Sequence, residues 1–382
     1  MTQPIFPKDA PDATTAHEQR ALIALSLVSG VGAGRMRGLL ARFGSAEAVM
    51  SASATALQRV PMVGRATARA IVQFDDYAEV DRQLERAAQV EATLLAPWDA
   101  QFPQPLRQIY DPPGMLWVRG TLREADRRAL AIVGTRRCTE YGRRQARRFA
   151  EALAREGFTI VSGLAYGVDA AAHRGALAVR GRTLAVLGSG VNRIYPGKHN
   201  SLAQEITEQG ALLSEYPLDA PPDASNFPER NRIISGLTLG TLVVESHASG
   251  GALITARMAV EQDREVFAVP NILDRSAGVG ANRLIQRGHA KLVIDVEDVL
   301  DELNMSARPP SGASNDAPDD PPSPDLGADE ERLLAAISTE PMHIDAICRA
   351  VDLDPSTALV HLLSLEFKGC IRQMAGKQFY RV

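Results

Sequence analysis

Four short loops in this 382-residue chain carry the residue types that grip phosphate. They read Gly134-Thr135-Arg136-Arg137, Ser162-Gly163, Gly188-Ser189-Gly190 and Ser249-Gly250-Gly251, and each follows a run of apolar residues. Glycine lets a backbone N–H approach an anion, serine adds a hydroxyl, and arginine pairs bidentately with phosphate oxygens. Between Ile132 and Asn200 the chain holds twelve Lys/Arg against four Asp/Glu, although the whole sequence has a formal charge of −4. The positive charge is therefore local, and its natural target is a polyanion. Arg193 and Lys198 lie in the same stretch, and Asn226 to Leu237 adds Arg230, Asn231 and Arg232 near the start of a helix. Those arginines either clamp a strand or buttress the glycine loops. An ion pair of Arg232 with Glu215 or Glu245 would be buttressing of that kind. The candidate nucleic-acid-binding set is thus Gly134, Arg136, Arg137, Ser162, Gly163, Gly188, Ser189, Gly190, Ser249 and Gly250 of the four loops, with Lys198, Arg230 and Asn231.

Several chemistries are disfavoured. Gly134 to Tyr141 is not Gly-x-Gly-x-x-Gly, no acidic residue stands where a ribose partner is expected, and no Gly-x-x-x-x-Gly-Lys-Ser/Thr occurs. Nicotinamide and ATP sites are disfavoured and no cofactor is expected. Gly188-Ser189-Gly190 lacks the Gly-x-Ser-x-Gly elbow of a serine nucleophile. His173, His199, His247 and His289 show no ligand spacing and read as hydrogen-bonded core or surface groups. Asp169 is expected to cap the helix it begins. Arg143, Arg144, Arg147 and Arg148 read as the solvated face of a helix and are left out of the site. Phosphate capture without catalysis is the reading that remains, with Tyr166, Tyr195 or Phe227 available to stack a base.

The elements that must position these loops follow from hydrophobic patterning. Strands are expected at Thr93–Ala96, Ala129–Val133, Thr159–Ser162, Thr183–Leu187, Ala211–Ser214, Thr241–Glu245, Glu265–Val269 and Lys291–Ile294. Their apolar runs are nearly continuous, as strands covered on both faces require, so the fold is α/β with a mainly parallel, doubly wound sheet. In such a sheet the loops at the carboxyl ends of the strands converge on one edge. A helix over Tyr141–Glu156 has Thr139 to satisfy its first N–H groups, an apolar stripe at Ala146, Phe149-Ala150 and Leu153-Ala154, and Gly157 as its left-handed stop.

Two flanking modules complete the chain. Before residue 90, Gly30-Val31-Gly32 and Met62-Val63-Gly64 each join apolar-periodic segments, giving two helical hairpins in tandem. Hairpins of this type grip a phosphate through their amides. Between Gly30 and Ala70 six arginines face Glu47 alone, which supports a DNA-backbone role, while Met62 is expected to pack; a purely protein-contacting module is the equal alternative. Ser306 to Asp325 holds six prolines and reads as a linker. Beyond it, three short helical segments and two strands flanking Ala-Gly-Lys suggest a winged helix. From Asp329 to Val382 eight acids oppose six bases, so a protein-contacting role is expected there rather than groove binding. The domain expectation is a helical unit over 1–90, an α/β unit over 91–305, a linker over 306–325 and a winged helix over 326–382.

Cys138, Cys348 and Cys370 form no Cys-x-x-Cys pair, which argues against a zinc site or disulfide framework and fits a reducing cytoplasm. Met1 to Arg20 lacks the apolar core of a signal peptide, and no run approaches the ~18 apolar residues that span a bilayer, so no membrane partner is expected.

Taken together, Ser162-Gly-Leu-Ala-Tyr-Gly-Val-Asp169-Ala-Ala-Ala-His173, Gly188-Ser-Gly190 with Tyr195-Pro196, Ser214-Glu-Tyr-Pro217, Phe227-Pro-Glu-Arg-Asn-Arg-Ile-Ile-Ser-Gly-Leu237 and Val243-Val-Glu-Ser with Ser249-Gly250 and Thr255-Ala256 resemble the DNA-processing protein A (DprA/Smf) family. The resemblance runs from Leu94 to Ile294. The flanks are similar to members with an N-terminal sterile-alpha-motif or helix-hairpin-helix domain and a C-terminal winged helix. It implies an extended Rossmann-like domain that dimerises. It also implies a non-enzymatic binder of single-stranded DNA that protects incoming strands in natural transformation and loads the recombinase RecA. The family's phosphate contact in the glycine-arginine loop falls on Arg136. Gly197 replaces the basic residue that often follows Tyr-Pro, with Lys198 displaced by one, and Asn271 stands where glycine is common. A rival class, the Rossmann-like nucleotide phosphoribohydrolases, carries Pro-Gly-Gly-x-Gly-Thr-x-x-Glu. The corresponding Ser249-to-Arg257 loop lacks both the Gly-Thr step and the glutamate.

Overall fold

The computed structural model describes residues 14–303, 327–338, 342–351, 353–368, 370–374 and 378–381. Two compact units meet in sequence at residue 308. The expected linker over 306–325, most of the N-terminal stretch read against a signal peptide and the Ala-Gly-Lys turn lie outside the described residues.

The first unit opens with six helices: α1 (Ala16–Leu27), α2 (Ala33–Phe43), α3 (Ala46–Met50), α4 (Ala54–Leu57), α5 (Arg65–Val72) and α6 (Tyr77–Gln89). The tandem hairpins are α1–α2 and α4–α5. Gly30 turns the first with φ +81°, and Met62 takes the equivalent left-handed conformation in the second, at φ +66°. Met62 was expected to pack, but it is 73% exposed. Its backbone conformation swings the side chain outward, while Arg35 Nε, 2.9 Å from the Met62 carbonyl, ties the two hairpins together. The buried Glu18 carboxylate of α1 accepts the amides of Ala46 at 2.6 Å and Glu47 at 3.0 Å, fixing the start of α3.

Nine strands follow: β1 (Ala92–Leu95), β2 (Leu116–Gly120), β3 (Ala129–Val133), β4 (Thr159–Ser162), β5 (Thr183–Val186), β6 (Ala211–Ser214), β7 (Gly240–Val243), β8 (Glu265–Ala268) and β9 (Lys291–Leu292). They form one sheet in the order β1-β2-β6-β5-β4-β3-β7-β8-β9. From β6 to β9 every pairing is parallel, whereas β2 runs antiparallel to both β1 and β6. The sequence expectation lacked β2, whose Leu-Trp-Val-Arg-Gly run is short and follows Pro112-Pro113-Gly114. The helices of this part are α7 (Gln104–Arg107), α8 (Glu140–Arg155), α9 (Val168–Ala178), α10 (Asn200–Gln209), α11 (Asn226–Gly236), α12 (Gly251–Glu261), α13 (Val279–Gln286) and α14 (Glu297–Glu302).

Every residue of β3 to β7 is buried, which explains their unbroken apolar runs. Leu130, Ile132 and Ile160 pack with Phe149 and Leu153 of α8 and Ala172 of α9 on one face. Ala131, Val133 and Val161 pack with Ile233 of α11 and Ala256 of α12 on the other. The sheet is thus doubly wound. The helical region shares a core with Leu187, Leu202, Ile206 and Leu212 of the sheet domain. As expected, Thr139 Oγ1 accepts the Gly142 amide at 3.2 Å to start α8, and Gly157 ends the segment at φ +79°. No helix among the described residues is long and apolar enough to cross a membrane.

The second unit comprises α15 (Ala328–Ala336), β10 (Met342–His343), α16 (Ile344–Val351), α17 (Pro355–Phe367), β11 (Ile371–Met374) and β12 (Gln378–Arg381), with the sheet ordered β10-β12-β11. Leu333, Ile347, Leu362, Leu365 and Phe379 form its core. Three helices and a small antiparallel sheet with a terminal hairpin make a winged helix.

In the first unit, Arg232 of α11 holds Glu215 through two bonds, at 2.8 and 2.6 Å, and both side chains are buried. The expectation offered Glu215 or Glu245, and the structure selects Glu215. Arg232→Ala leaves that carboxylate buried and unpaired, with an expected stability loss of about 3–5 kcal/mol. Urea unfolding followed by Trp98 and Trp117 fluorescence reports on this unit alone, since both tryptophans lie in it. A loss under about 1 kcal/mol, the scale of a surface pair, would contradict the assignment.

Candidate nucleic-acid interface

The chain steps from β3 through β4 and β5 to β6 in one direction, then returns to β7 beside β3 and continues outward to β8 and β9. The carboxyl ends of β3 and β7 therefore flank a topological switch point, where an open α/β sheet leaves a crevice. A cleft of about 740 Å³ opens there, lined by Gly134 to Arg137 after β3, Ser246, His247, Gly250 and Gly251 after β7, and Phe227, Arg230 and Asn231 of α11.

The loop after β3 is fixed from behind. Thr135 donates its amide to the Glu245 carbonyl at 2.8 Å. The buried Glu245 carboxylate accepts the Thr139 amide at 2.8 Å, the Thr139 hydroxyl at 2.5 Å and the Asn271 side-chain amide at 3.2 Å. This anion sits against the start of α8, where the helix dipole favours it. Asn271 also exchanges two bonds with Asn282, both at 2.9 Å, tying α13 to the same corner.

With their backbone held, Arg136 and Arg137 expose their guanidinium groups, and neither has a carboxylate partner among the described residues. The Arg136 guanidinium lies 5.0 Å from the centre of the Phe227 ring, and Tyr195 meets Phe227 at 5.8 Å. A cation over an aromatic pair is thereby presented at the cleft wall. Opposite, α12 begins at Gly250 without a side-chain cap, leaving first-turn amides as donors.

The cleft's inner wall is a buried charge. Arg230 is 4% exposed; its Nη1 donates to the Val186 carbonyl, and its Nε finds no acceptor among the described residues. Burial lowers the guanidinium to about 10, against which the Asp169 charge acts, so Arg230 stays cationic at neutral pH. Asp169 is itself buried, and burial pushes its carboxyl up while Arg230 and the amides of Ala165 and Gly163 pull it down. The expectation that Asp169 caps α9 is corrected: Gly167 starts that helix without a side-chain cap, and Asp169 instead reaches back to the Ala165 amide at 3.3 Å.

Of the predicted residues, Gly134, Arg136, Arg137, Arg230, Asn231 and Gly250 come together along the cleft. Five others stand behind it as scaffold. The Ser162 hydroxyl donates to the Ile132 carbonyl at 2.7 Å, and Gly163 packs on the Arg230 guanidinium. Gly188 accepts from Asn226 at 3.1 Å, the Ser189 hydroxyl donates to the Arg193 carbonyl at 2.7 Å, and the Gly190 amide donates to Ala220 at 3.0 Å. Lys198 and Ser249 are exposed and stand outside the cleft's lining. Sequence reasoning passed over Glu245 as the anchor of the loop, and Asp169 as a counter-charge. For Asp169 the signal was an acid placed within an otherwise apolar Val-Asp-Ala-Ala-Ala run. His173 and His199 are buried and structural, bonded to Thr183 at 2.7 Å and to the Leu164 carbonyl at 2.8 Å.

The sequence model of DNA recombination-mediator protein A matches residues 93–304. The chain belongs to this family. A DprA winged helix domain matches residues 317–377, and a SAM-like helix-hairpin-helix tandem matches residues 22–74. Protein Smf of Escherichia coli is 42% identical over 74% of this chain and 76% of its own length. Protein Smf of Synechocystis is 34% identical over 95% and 99%. Among solved structures, DNA processing protein A of Streptococcus pneumoniae aligns with a TM-score of 0.65 and 31% identity, covering 74% of this chain and 97% of that one. DNA processing protein A of Helicobacter pylori, studied for its single-stranded DNA binding mode, aligns with a TM-score of 0.52 and 29% identity over 58% and 99%. The family match covers the whole switch-point cleft.

Gly163 leaves no room for a side chain, because a Cβ there would collide with the Arg230 guanidinium. Gly163→Ala is expected to destabilise the first unit by about 1–3 kcal/mol through overpacking. Denaturant unfolding checks this, and parental stability in the variant would show that Arg230 does not hold that position.

Proposed function

We propose that the chain binds single-stranded DNA in the switch-point cleft, protects incoming strands in natural transformation and recombination, and passes them to RecA. The observation that carries this is the pairing of unneutralised guanidinium groups, Arg136 and Arg137, with the Phe227–Tyr195 ring pair on the same wall. An unpaired strand offers phosphates and open base faces together, and this wall has a group for each. A duplex hides its base faces, and a lone nucleotide needs neither the length of the cleft nor its openness. Membership of the recombination-mediator family and the single-stranded DNA mode of the Helicobacter pylori relative support the same reading. In this reading the protein acts in the cytoplasm as a homodimer through its Rossmann-like domain, by binding rather than by catalysis.

Site roles divide accordingly. Arg136 and Arg137 meet phosphates, Gly134 and Gly250 allow close backbone approach, and Asn231 and Arg230 face the strand from α11. The winged helix serves protein contact. Lys368, just after α17, is held by Glu330 at 2.6 Å, so a cation that a DNA groove would need is engaged within its own domain.

Arg136→Ala is expected to weaken binding to an oligothymidylate about tenfold and to make the log-log salt dependence shallower by about 0.7, the contribution of one phosphate contact on a single strand. Fluorescence anisotropy at several salt concentrations measures both, and unchanged affinity would remove Arg136 from the site. Deleting residues 326–382 is expected to leave duplex affinity unaltered in a gel-shift titration. A measurable loss would return the winged helix to DNA binding.

A further inference from the structure

The switch-point cleft does not end at Arg137. A second cleft of about 490 Å³ adjoins it, walled by Arg136, Arg137, Arg143, Tyr166 and Gly167, and a third of about 320 Å³ continues past Arg143, Tyr166 and Gly167 to Arg147, Arg174 and His199. The first and second clefts share Arg136 and Arg137 as walls, and the second and third share Arg143, Tyr166 and Gly167, so the three lie in succession from the sheet edge over the α8–α9 face. Gly167 makes the junction: it has φ +79°, and a Cβ there would strike the Thr135 and Arg136 carbonyl groups.

The arginine-rich face of α8 was read from sequence as uniformly solvated, but the structure divides it. Arg144 and Arg148 turn away onto Tyr141 and Phe149, with cation–ring distances of 5.9 and 5.0 Å. Arg143 and Arg147, one turn apart, face the track. Their acidic partners are Glu140 at 3.3 Å and Glu151 at 2.6 Å. Arg143 and Arg147 are each well exposed in these pairs, which are of the weak kind that a phosphate displaces. Arg174 is exposed and has no carboxylate partner among the described residues. Tyr166 stands 42% exposed between these cations. Its ring meets the His199 imidazole edge-on at 5.0 Å, and His199 is locked to the Leu164 carbonyl. The ring is thus braced on one edge by a buried, hydrogen-bonded neighbour.

We propose that this face is a second compartment for the same strand, with phosphates over Arg143, Arg147 and Arg174 and a base stacked on Tyr166. The inference rests on the single-strand reading of the first cleft and extends it. A strand occupying the first cleft passes the Arg136–Arg137 wall and continues along α8, so longer strands gain contacts that short ones cannot reach.

The test compares oligothymidylates of about 5 and about 20 nucleotides, lengths near or beyond the limits of single-strand site sizes, on the full chain. In the Tyr166→Ala, Arg174→Ala double variant, affinity for the longer strand is expected to fall about tenfold from lost stacking and charge, and its salt slope to become shallower by about 0.7. The shorter strand should bind as to the parent. Arg136→Ala should weaken both lengths. If the double variant binds the longer strand with parental affinity and slope while Arg136→Ala still weakens binding, the second compartment is overturned and the first cleft stands. An equal loss for both lengths in the double variant also overturns a separate compartment. If Arg136→Ala changes neither length, the underlying cleft reading fails and this inference with it. Both substituted side chains are exposed, and coincident thermal unfolding of variant and parent verifies that the fold is intact.

Discussion

Arg230 is a guanidinium held 4% exposed at the carboxyl edge of the sheet, and it forms the inner wall of the cleft in front of it. Isolated burial of such a group is unfavourable by several kcal/mol. Here the Val186 carbonyl takes one of its donors, and Asp169 supplies a nearby opposite charge that is itself buried. The pair joins the start of α9, the end of β5 and the first turns of α11 into one wall. Gly163 belongs to the same constraint, since any side chain at that position would displace the guanidinium. The glycine in Ser-Gly-Leu is therefore needed for packing before it is needed for ligand approach.

A second anchor works from the other side of the cleft. Glu245 leaves β7 and bonds back to Thr139, so the loop carrying Arg136 and Arg137 is clamped between β7 and α8. Arg232, two residues beyond Arg230, pairs with Glu215 and also reaches Asp111 at 3.2 Å. Asp111 in turn pairs with Arg37 of α2. This carboxylate thus connects the helical hairpins to the helix that carries the cleft wall. Charges that are paired fix the geometry, and charges left unpaired face outward.

Much of this was legible in the sequence, for identifiable reasons. Strands buried on both faces announce themselves as unbroken apolar runs, so all eight expected strands in the region fall within a residue or two of their places, with Lys291–Leu292 ending two residues early at the sheet edge. Strand β2 escaped because five residues after a proline pair carry no periodicity that separates them from a loop. Met62 was misjudged because residue type predicts burial on average, whereas a left-handed backbone at that turn dictates where this side chain points. The arginines of α8 were seen as one charged face. Their separation into Arg143 and Arg147 on one side and Arg144 and Arg148 on the other depends on which neighbours the helix meets, and those come from α9 and from the region after β9. Lys198 has a type and a sequence position that suit phosphate, and the short turn at Gly197–His199 leaves it exposed outside the cleft's lining.

An acidic chain that attracts a polyanion must keep its own carboxylates away from the cations that do the attracting. The described part of this protein does so at its buried carboxylates by engaging them. Glu215, Glu245 and Asp169 lie near the cleft, yet each is buried and already engaged by Arg232, by Thr139 and Asn271, or by backbone amides and the nearby Arg230 charge. None is left to neutralise Arg136 or Arg137. Because neither guanidinium group has a carboxylate partner among the described residues, a phosphate meets their charge there without first breaking an ion pair. Arg143 and Arg147 differ, since each gives up a weak exposed pair on meeting a phosphate. In the proposed two-compartment reading the track is therefore graded, strongest at the switch point and weaker along α8. A strand captured at the cleft would settle outward from it, and release of its distal part would precede release of the whole.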